Sequence, residues 1–237
     1  MPLTVTDALA DPRLRLAAVV AEGVSTDALP DGFDAVLADL VARRAAGLSA
    51  ELEARRQAVR DALRHGAYKP TGRAKPAAEY LLRAAAEGTF PRVNALVDVA
   101  NAASLDALVP LSIWDLDLAA DGRVGDDALT VRRGRAGEAY VFNGAGQTID
   151  LADLVLGAVS AIDRPCVTPV KDSLATKTTP DTRRVGAVVY APTAAMSDAD
   201  LADAAARLAA WLGRCGARVR TASGLVPPGG TLRLDPS

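Results

Sequence analysis

The stretch from Arg92 to Asp117 constrains the chain more than any other. Val93, Leu96, Val97, Ala100, Ala103 and Leu105 recur at helical spacing, and Pro91 stands where a first-turn proline costs no hydrogen bond, so residues 92–105 are expected to form a mostly buried helix. Pro110 then interrupts the chain. Beyond it Leu111, Ile113 and Leu116 alternate with Ser112, Asp115 and Asp117, the pattern of a strand with one wet face. Asn94, Asp98 and Asn101 fall at four- and three-residue steps along one edge of the helix, and polar groups on a buried edge must find partners. A polar helix edge leading into a polar strand face is a candidate site.

At 237 residues the chain has room for one well-filled domain, or for a core domain with a small helical attachment. Half of its residues are hydrophobic but only 4% are aromatic, so the core must be aliphatic, with closely packed helices. The apolar run Leu151 to Ile162 is broken by Asp153, Gly157 and Ser160 and falls well short of the ~20 residues a membrane helix needs. Thr6, Asp7, Asp11 and Arg13 crowd the N-terminus without a signal-peptide pattern, and a cytoplasmic location with no membrane contact is expected. Cys166 and Cys215 are too few for a disulfide framework and sit in no zinc-type spacing, so they read as buried thiols, with no metal and no cofactor expected. His65 is the single histidine, at the end of a charged helix. Any Ser-His or Cys-His mechanism would have to recruit it. The net charge of −2 argues against broad nucleic-acid binding, and no DNA partner is expected; a local contact with the end of an RNA is compatible with it.

Along the chain, Leu14 to Val20 reads as a core strand and Pro30-Asp-Gly as a turn. Residues 33–44 and 50–65 read as two amphipathic helices, the second capped by Ser49. Arg55, Arg56, Arg60 and Arg64 alternate with Glu51, Glu53 and Asp61, which suits a solvated mixed-charge face or an RNA patch. Pro76 opens a helix ending near Gly88. Asp121-Gly-Arg and Asp126-Asp read as turns. Residues 129–133, 138–142 and 148–151 read as strands, the last two joined across Asn143-Gly-Ala-Gly as a hairpin. Leu154 to Ile162 reads as one further strand and Val185 to Tyr190 as another. Between those two lies Val167 to Arg184, long, polar and bracketed by prolines, and loops of that length inside a compact domain are uncommon unless they carry a function. In it Lys171, Asp172, Ser173, Lys177 and Thr178 offer donors and acceptors suited to a carboxylate, hydroxyl or phosphate, though a surface crossover with solvated lysines fits the same residues. Ser197 caps a helix with an apolar stripe at Leu201, Ala205, Leu208 and Leu212; Ala217 to Thr221 is a last strand, followed by a tail.

Val93-Asn-Ala-Leu-Val-Asp-Val-Ala-Asn, Val109-Pro-Leu-Ser-Ile-Trp-Asp-Leu-Asp, Leu129-Thr-Val-Arg-Arg and Ala136-Gly-Glu, in that order and spacing, resemble the B3/B4 domain, the editing module of the phenylalanyl-tRNA synthetase beta subunit, which also occurs free-standing. The resemblance implies an α+β, B3/B4-like fold: a mixed or antiparallel sheet packed with helices. It implies a single domain over 1–237, with the best-matching core at 68–192, an N-terminal strand and helices at 14–65, a C-terminal helix and strand at 197–221 and a tail at 222–237. It also implies tRNA or aminoacyl-tRNA as partner and hydrolysis of mischarged aminoacyl-tRNA as the reaction. The oligomeric state is left open. No glycine motif for nucleotides is present, so a complete tRNA ligase is not expected.

The editing site of that family carries a histidine where this chain has Ser112, in a motif reading Pro-Leu-His-Ala-Phe-Asp there and Pro-Leu-Ser-Ile-Trp-Asp here. Asp98 and Asp115 match family aspartates, and Asp172 falls near the family's loop glutamate. By that resemblance Ser112, Asp115 and Asp172 are the candidate catalytic residues, and Asn94, Asp98, Asn101, Lys171, Ser173, Lys177 and Thr178 the candidate substrate-binding ones. For Asp98 and Asp115 a purely structural role, capping turns or taking backbone N–H groups, is an equal reading. Loss of the strand histidine favours a second function, a non-catalytic module of the same fold that holds an amino acid, an RNA end or a protein partner.

Overall fold

The computed structural model describes residues 1–122 and 127–237. Two sheets form its frame. The first is built from β1 (Leu3–Asp7), β4 (Asp127–Arg133), β7 (Val155–Val159), β8 (Arg164–Val167) and β11 (Thr231–Leu234), in the order β11-β1-β4-β7-β8. Its β1 and β4 are parallel and its other pairs antiparallel. The second, fully antiparallel, runs β10-β2-β9-β3 from β2 (Leu14–Glu22), β3 (Leu111–Asp115), β9 (Arg184–Pro192) and β10 (Arg220–Val226). A separate hairpin joins β5 (Ala139–Val141) to β6 (Thr148–Asp150). The fold is α+β, with mixed and antiparallel sheets packed with helices.

Six helices complete it: α1 (Phe33–Ala45), α2 (Ala50–Leu63), α3 (Ala77–Ala86), α4 (Ala95–Ala107), the single turn α5 (Leu116–Ala120) and α6 (Asp198–Leu212). α6 lies against β2 and β10, α4 against β3, and α2 against β9, so the helices pack on the second sheet. β2 is buried along nearly its whole length, which explains why Leu14 to Glu22 reads as a continuous rather than an alternating apolar run. The two sheets meet edge to edge, β10 beside β11 and β3 beside β8. The second of these seams positions the site.

Several expectations need correction. The central helix starts at Ala95, not in the Pro91 turn, because Asn94 adopts extended backbone and accepts the Val97 N–H through its side chain. The strand after Pro110 stops at Asp115, whose carboxylate accepts from the N–H groups of Asp117 and Leu118 and turns the chain into α5, so Asp117 is helical. The single strand expected over 154–162 is instead a hairpin. The chain reverses over 160–163, with Asp163 at φ 50°, and β8 follows as an edge strand that tolerates Pro165. Segment 222–237, expected as a tail, contains most of β10 and the whole of β11, the latter paired with β1. Asp121 and Gly122 both have positive φ, as a turn requires, while Arg123 and Asp126 lie outside the described residues.

The arginine-rich α2 is internal wiring. Arg55 is buried and donates to the carbonyls of Ala107 and Ala195, and Arg56 and Arg60 converge on the buried Glu79 of α3. Arg64 alone of these four is exposed without an ion pair among the described residues. Gly186 in β9 is fixed by a neighbour rather than by its backbone: it is paired with Trp114, and a Cβ there would run into the indole ring. Overpacking a filled core costs about 1–3 kcal/mol. Gly186→Ala should therefore lower the thermal midpoint by several degrees, which differential scanning calorimetry reads directly.

Candidate functional site

The site is built where β3 and β8 face each other as edge strands. Ser112, in β3, is fully buried, and its hydroxyl donates across the seam to the carbonyl of Thr168, the first residue after β8, at 3.0 Å. Thr168 organises the turn that follows. Its hydroxyl donates to the Lys171 carbonyl (2.8 Å) and accepts from the N–H groups of Val170 and Lys171, while its own N–H donates to Asp172 Oδ1 at 3.0 Å. The Tyr140 hydroxyl of β5 donates to the same Lys171 carbonyl at 2.7 Å, tying the hairpin to the turn. Ser173 N–H returns to the Cys166 carbonyl, and the Ser173 hydroxyl caps the short helical turn Leu174–Thr176.

Asp172 is half-buried as a residue, and it is the carboxyl end that burial reaches most strongly. Burial pushes its pKa up from the ordinary 3.8 to about 7, opposed by the Thr168 N–H, the Ser112 hydroxyl, the Lys177 ammonium and the Ile113 N–H. The hydroxyls of Tyr140 and Tyr190 and the Cys166 thiol, all near this carboxyl, are raised in turn, first by their own burial and also by the Asp172 charge. Tyr190 lies 3.4 Å from the Ser112 hydroxyl. One carboxyl thus titrates near neutrality in a setting of groups that stay protonated.

The loop is pinned at three further points. Asn94 donates through its side-chain amide to the Thr178 hydroxyl at 3.0 Å, so the N-cap of α4 is also a loop anchor. Asp115 Oδ2 accepts from the Thr182 hydroxyl at 2.5 Å. Lys177 donates to the Phe142 carbonyl at 2.6 Å. The Lys171 ammonium stands 4.1 Å from the Phe142 ring centroid and 6.0 Å from that of Tyr80. Its pKa is lowered, first by burial and then by the Arg73 guanidinium nearby.

The residues singled out in the sequence therefore divide. Asn94, Ser112, Asp115, Lys171, Asp172, Ser173, Lys177 and Thr178 are gathered on or against one loop. Ser112 and Asp115 are buried with their polar atoms engaged. Asp98 is buried and accepts from Arg92 Nε and from the Val93 N–H, so it braces the turn before α4. Asn101 makes no side-chain hydrogen bond among the described residues. Thr168, Tyr80, Tyr140, Phe142, Tyr190 and Arg73 join the site without any sequence signal that marks them for it. Tyr140 and Phe142 were legible only as ordinary strand residues, and Thr168 only as the residue before a proline.

Among the described residues no group of three or more His, Cys, Asp or Glu side chains is arranged to hold a metal ion, and no helix is long and apolar enough to cross a membrane. His65 is exposed, and its backbone N–H donates to the Tyr68 carbonyl in an isolated bridge.

The family model of the B3/4 domain matches residues 69–207, more than half of the chain, and the chain belongs to that family. Among solved structures it is similar to an N-terminal fragment of the phenylalanyl-tRNA synthetase beta-subunit from Pyrococcus horikoshii, at 12% identity and a TM-score of 0.45, over 95% of this chain and 54% of that one. The chain thus spans about half the length of that fragment. No curated protein matches it.

The raised Asp172 carboxyl has a consequence for stability. The folded state holds this proton more tightly than the unfolded chain does, so the associated stability is full below 3.8 and is lost as pH rises through about 7. Asp172→Asn keeps an acceptor for the Thr168 N–H and removes the charge. It should melt about 2–4 °C above the parent at pH 8, the shift expected of ~1 kcal/mol at this size, with the difference vanishing toward pH 3.8.

Proposed function

We propose that this B3/4 domain binds the aminoacylated end of tRNA and hydrolyses mischarged aminoacyl-tRNA in trans, resembling the editing module of phenylalanyl-tRNA synthetase. Membership of the B3/4 family supports the class, and one observation carries the chemistry: the Asp172 carboxyl, raised to about 7 by burial, sits in the same loop as Lys171 and Lys177, neither of which is closed off in a tight ion pair among the described residues. Aminoacyl esters are labile, so the demands on the protein are to hold the acyl end, orient one water and stabilise an oxyanion. Asp172 accepts a proton from a water admitted at the Thr168 turn as that water attacks the ester carbonyl. The ribose oxygen then leaves and takes up a proton. Lys171 and Lys177 meet the terminal ribose or phosphate, and Asn94 and Thr178 hold the loop against α4. Ser112 acts from behind, by holding Thr168. The protein works in the cytoplasm, where its substrate is found.

A second reading, a non-catalytic module holding an aminoacylated RNA end, rests on a different observation. Ser112, at the family's histidine position, is fully buried with its hydroxyl already given to Thr168, and Asp115 is occupied as a helix cap and by Thr182.

Deacylation of a panel of correctly and incorrectly charged tRNAs separates the two. Under the editing reading one mischarged ester is hydrolysed selectively. Asp172→Ala reduces that rate by about 100-fold or more, the scale of a lost general base, and Ser112→Ala reduces it less. The enzyme-dependent rate rises with pH through about 7, because the ionised carboxylate is the active form. Equal background hydrolysis of every ester, with and without protein, would abandon catalysis in favour of the binding module.

A further inference from the structure

The four lysines of the chain, Lys69, Lys75, Lys171 and Lys177, all fall in two short segments, 69–75 and 171–177, although the intervening sequence runs to nearly a hundred residues. The fold brings the segments together. The Ala77 N–H, just past the first, donates to the Pro169 carbonyl, just before the second, at 2.8 Å. Arg73 lies close enough to the Lys171 ammonium to depress its pKa. Tyr80 fastens the first segment by donating to the Gly72 carbonyl at 3.3 Å.

The charge arrangement here differs from that of the rest of the molecule. Most arginines are committed to carboxylates, as in Arg132 with Glu138 and Asp163, Arg184 with Glu22, Asp117 and Asp127, and Arg60 with Glu79. None of the four lysines, nor Arg73, forms a close ion pair with a carboxylate among the described residues; Lys69 and Lys177 donate to backbone carbonyls, Lys177 also acting at longer range on the Asp172 carboxyl, and Lys171 lies over aromatic rings. Two cations held side by side without a counterion repel, and a partly desolvated ammonium makes the repulsion stronger. An anion at that place removes the repulsion. In a chain whose net charge is −2, this concentration of unpaired positive charge is local and does not follow from composition.

The rings decide what kind of anion fits. Phe142 and Tyr80 are two of only nine aromatic residues in the chain, both are half-buried, and both adjoin the Lys171 ammonium. A cationic track interleaved with partly exposed aromatic faces matches a single strand, whose phosphates meet the cations and whose unstacked bases lie on the rings. A duplex offers no free base faces, and a free phosphate makes no use of the rings.

We propose that segments 69–75 and 171–177, with the Phe142 and Tyr80 rings between them, form one phosphodiester-binding surface for single-stranded RNA, in which Arg73 and Lys75 contact phosphates and Phe142 stacks a base. This rests on the proposed RNA substrate and extends its contact beyond the Asp172 loop to the lead of α3.

The test is a fluorescence anisotropy titration of a labelled single-stranded RNA heptamer from 50 to 200 mM KCl, with a duplex of the same sequence and inorganic phosphate as competitors. Arg73→Ala and Lys75→Ala should each weaken binding several-fold and lower the slope of log K against log salt by about 0.7, one phosphate contact for a single strand. Phe142→Ala should weaken binding about 5-fold or more without changing the slope. The duplex and phosphate should compete poorly. Unchanged affinity and slope in both Arg73→Ala and Lys75→Ala overturns the inference, as does a parent protein that does not bind the heptamer, or a duplex that binds equally well. The deacylation panel run on the same variants separates this failure from failure of the proposed function. Selective deacylation that depends on Asp172 but is indifferent to Arg73 and Lys75 leaves the editing reading standing and removes this surface. Arg73 is exposed, and circular dichroism melts confirm that each variant is folded before its slope is read.

Discussion

The hydrogen bond from Ser112 to the Thr168 carbonyl is the interaction on which the site depends. It crosses from one sheet to the other where the edge strands β3 and β8 lie side by side, joining a buried side chain to the start of a loop. The Thr168 hydroxyl then closes the turn that presents Asp172, and the Tyr140 hydroxyl fastens the same turn to the hairpin. Buried polar sets of this kind hold one geometry when every member is satisfied and are costly when one is removed. The perturbed carboxyl is therefore a product of the seam as a whole: two sheets, one turn and one hairpin each contribute a group to its surroundings.

Much of this was legible in the sequence, and the failures have physical causes. Ser49 and Ser197 announced their helices because a hydroxyl before an apolar-periodic run has few other uses, and both cap as expected, Ser197 within a full capping box. The start of α4 was misplaced by Pro91, since a proline suited to a first turn fits equally well in the extended chain before an N-cap. β8 was missed because its reverse turn contains Ala161 and Ile162, apolar residues that look like a continuing strand, while the residue that bends the chain is Asp163 in left-handed backbone. β11 was missed because Pro-Pro-Gly-Gly reads as the end of structure rather than as a hairpin connection.

Sequence spacing names polar residues but not the partners that decide what each one does. Of the polar residues singled out on the α4 edge, in β3 and in the 167–184 loop, Asn94, Ser112 and Asp115 reach the loop, whereas Asp98 turns to Arg92 and the Val93 N–H. Which of them would be spent on architecture depended on partners distant in sequence: Thr182 for Asp115, Arg92 for Asp98, Thr178 for Asn94. No spacing rule carries that information. The aromatic and cationic neighbours of Lys171 were invisible for the same reason, since Tyr80 and Phe142 are brought to it only by the fold.

The division of labour between arginine and lysine reaches beyond binding. Arginine's planar fork suits it to fixed internal partners, whereas lysine's ammonium stays a mobile point charge. Because every lysine lies in one region, amine-directed chemistry on side chains sees that region alone. A protein tethered to a surface through its lysines would present all its other faces to solvent and hide this one, and a lysine-reactive probe would report on a single patch of the molecule while leaving the rest silent.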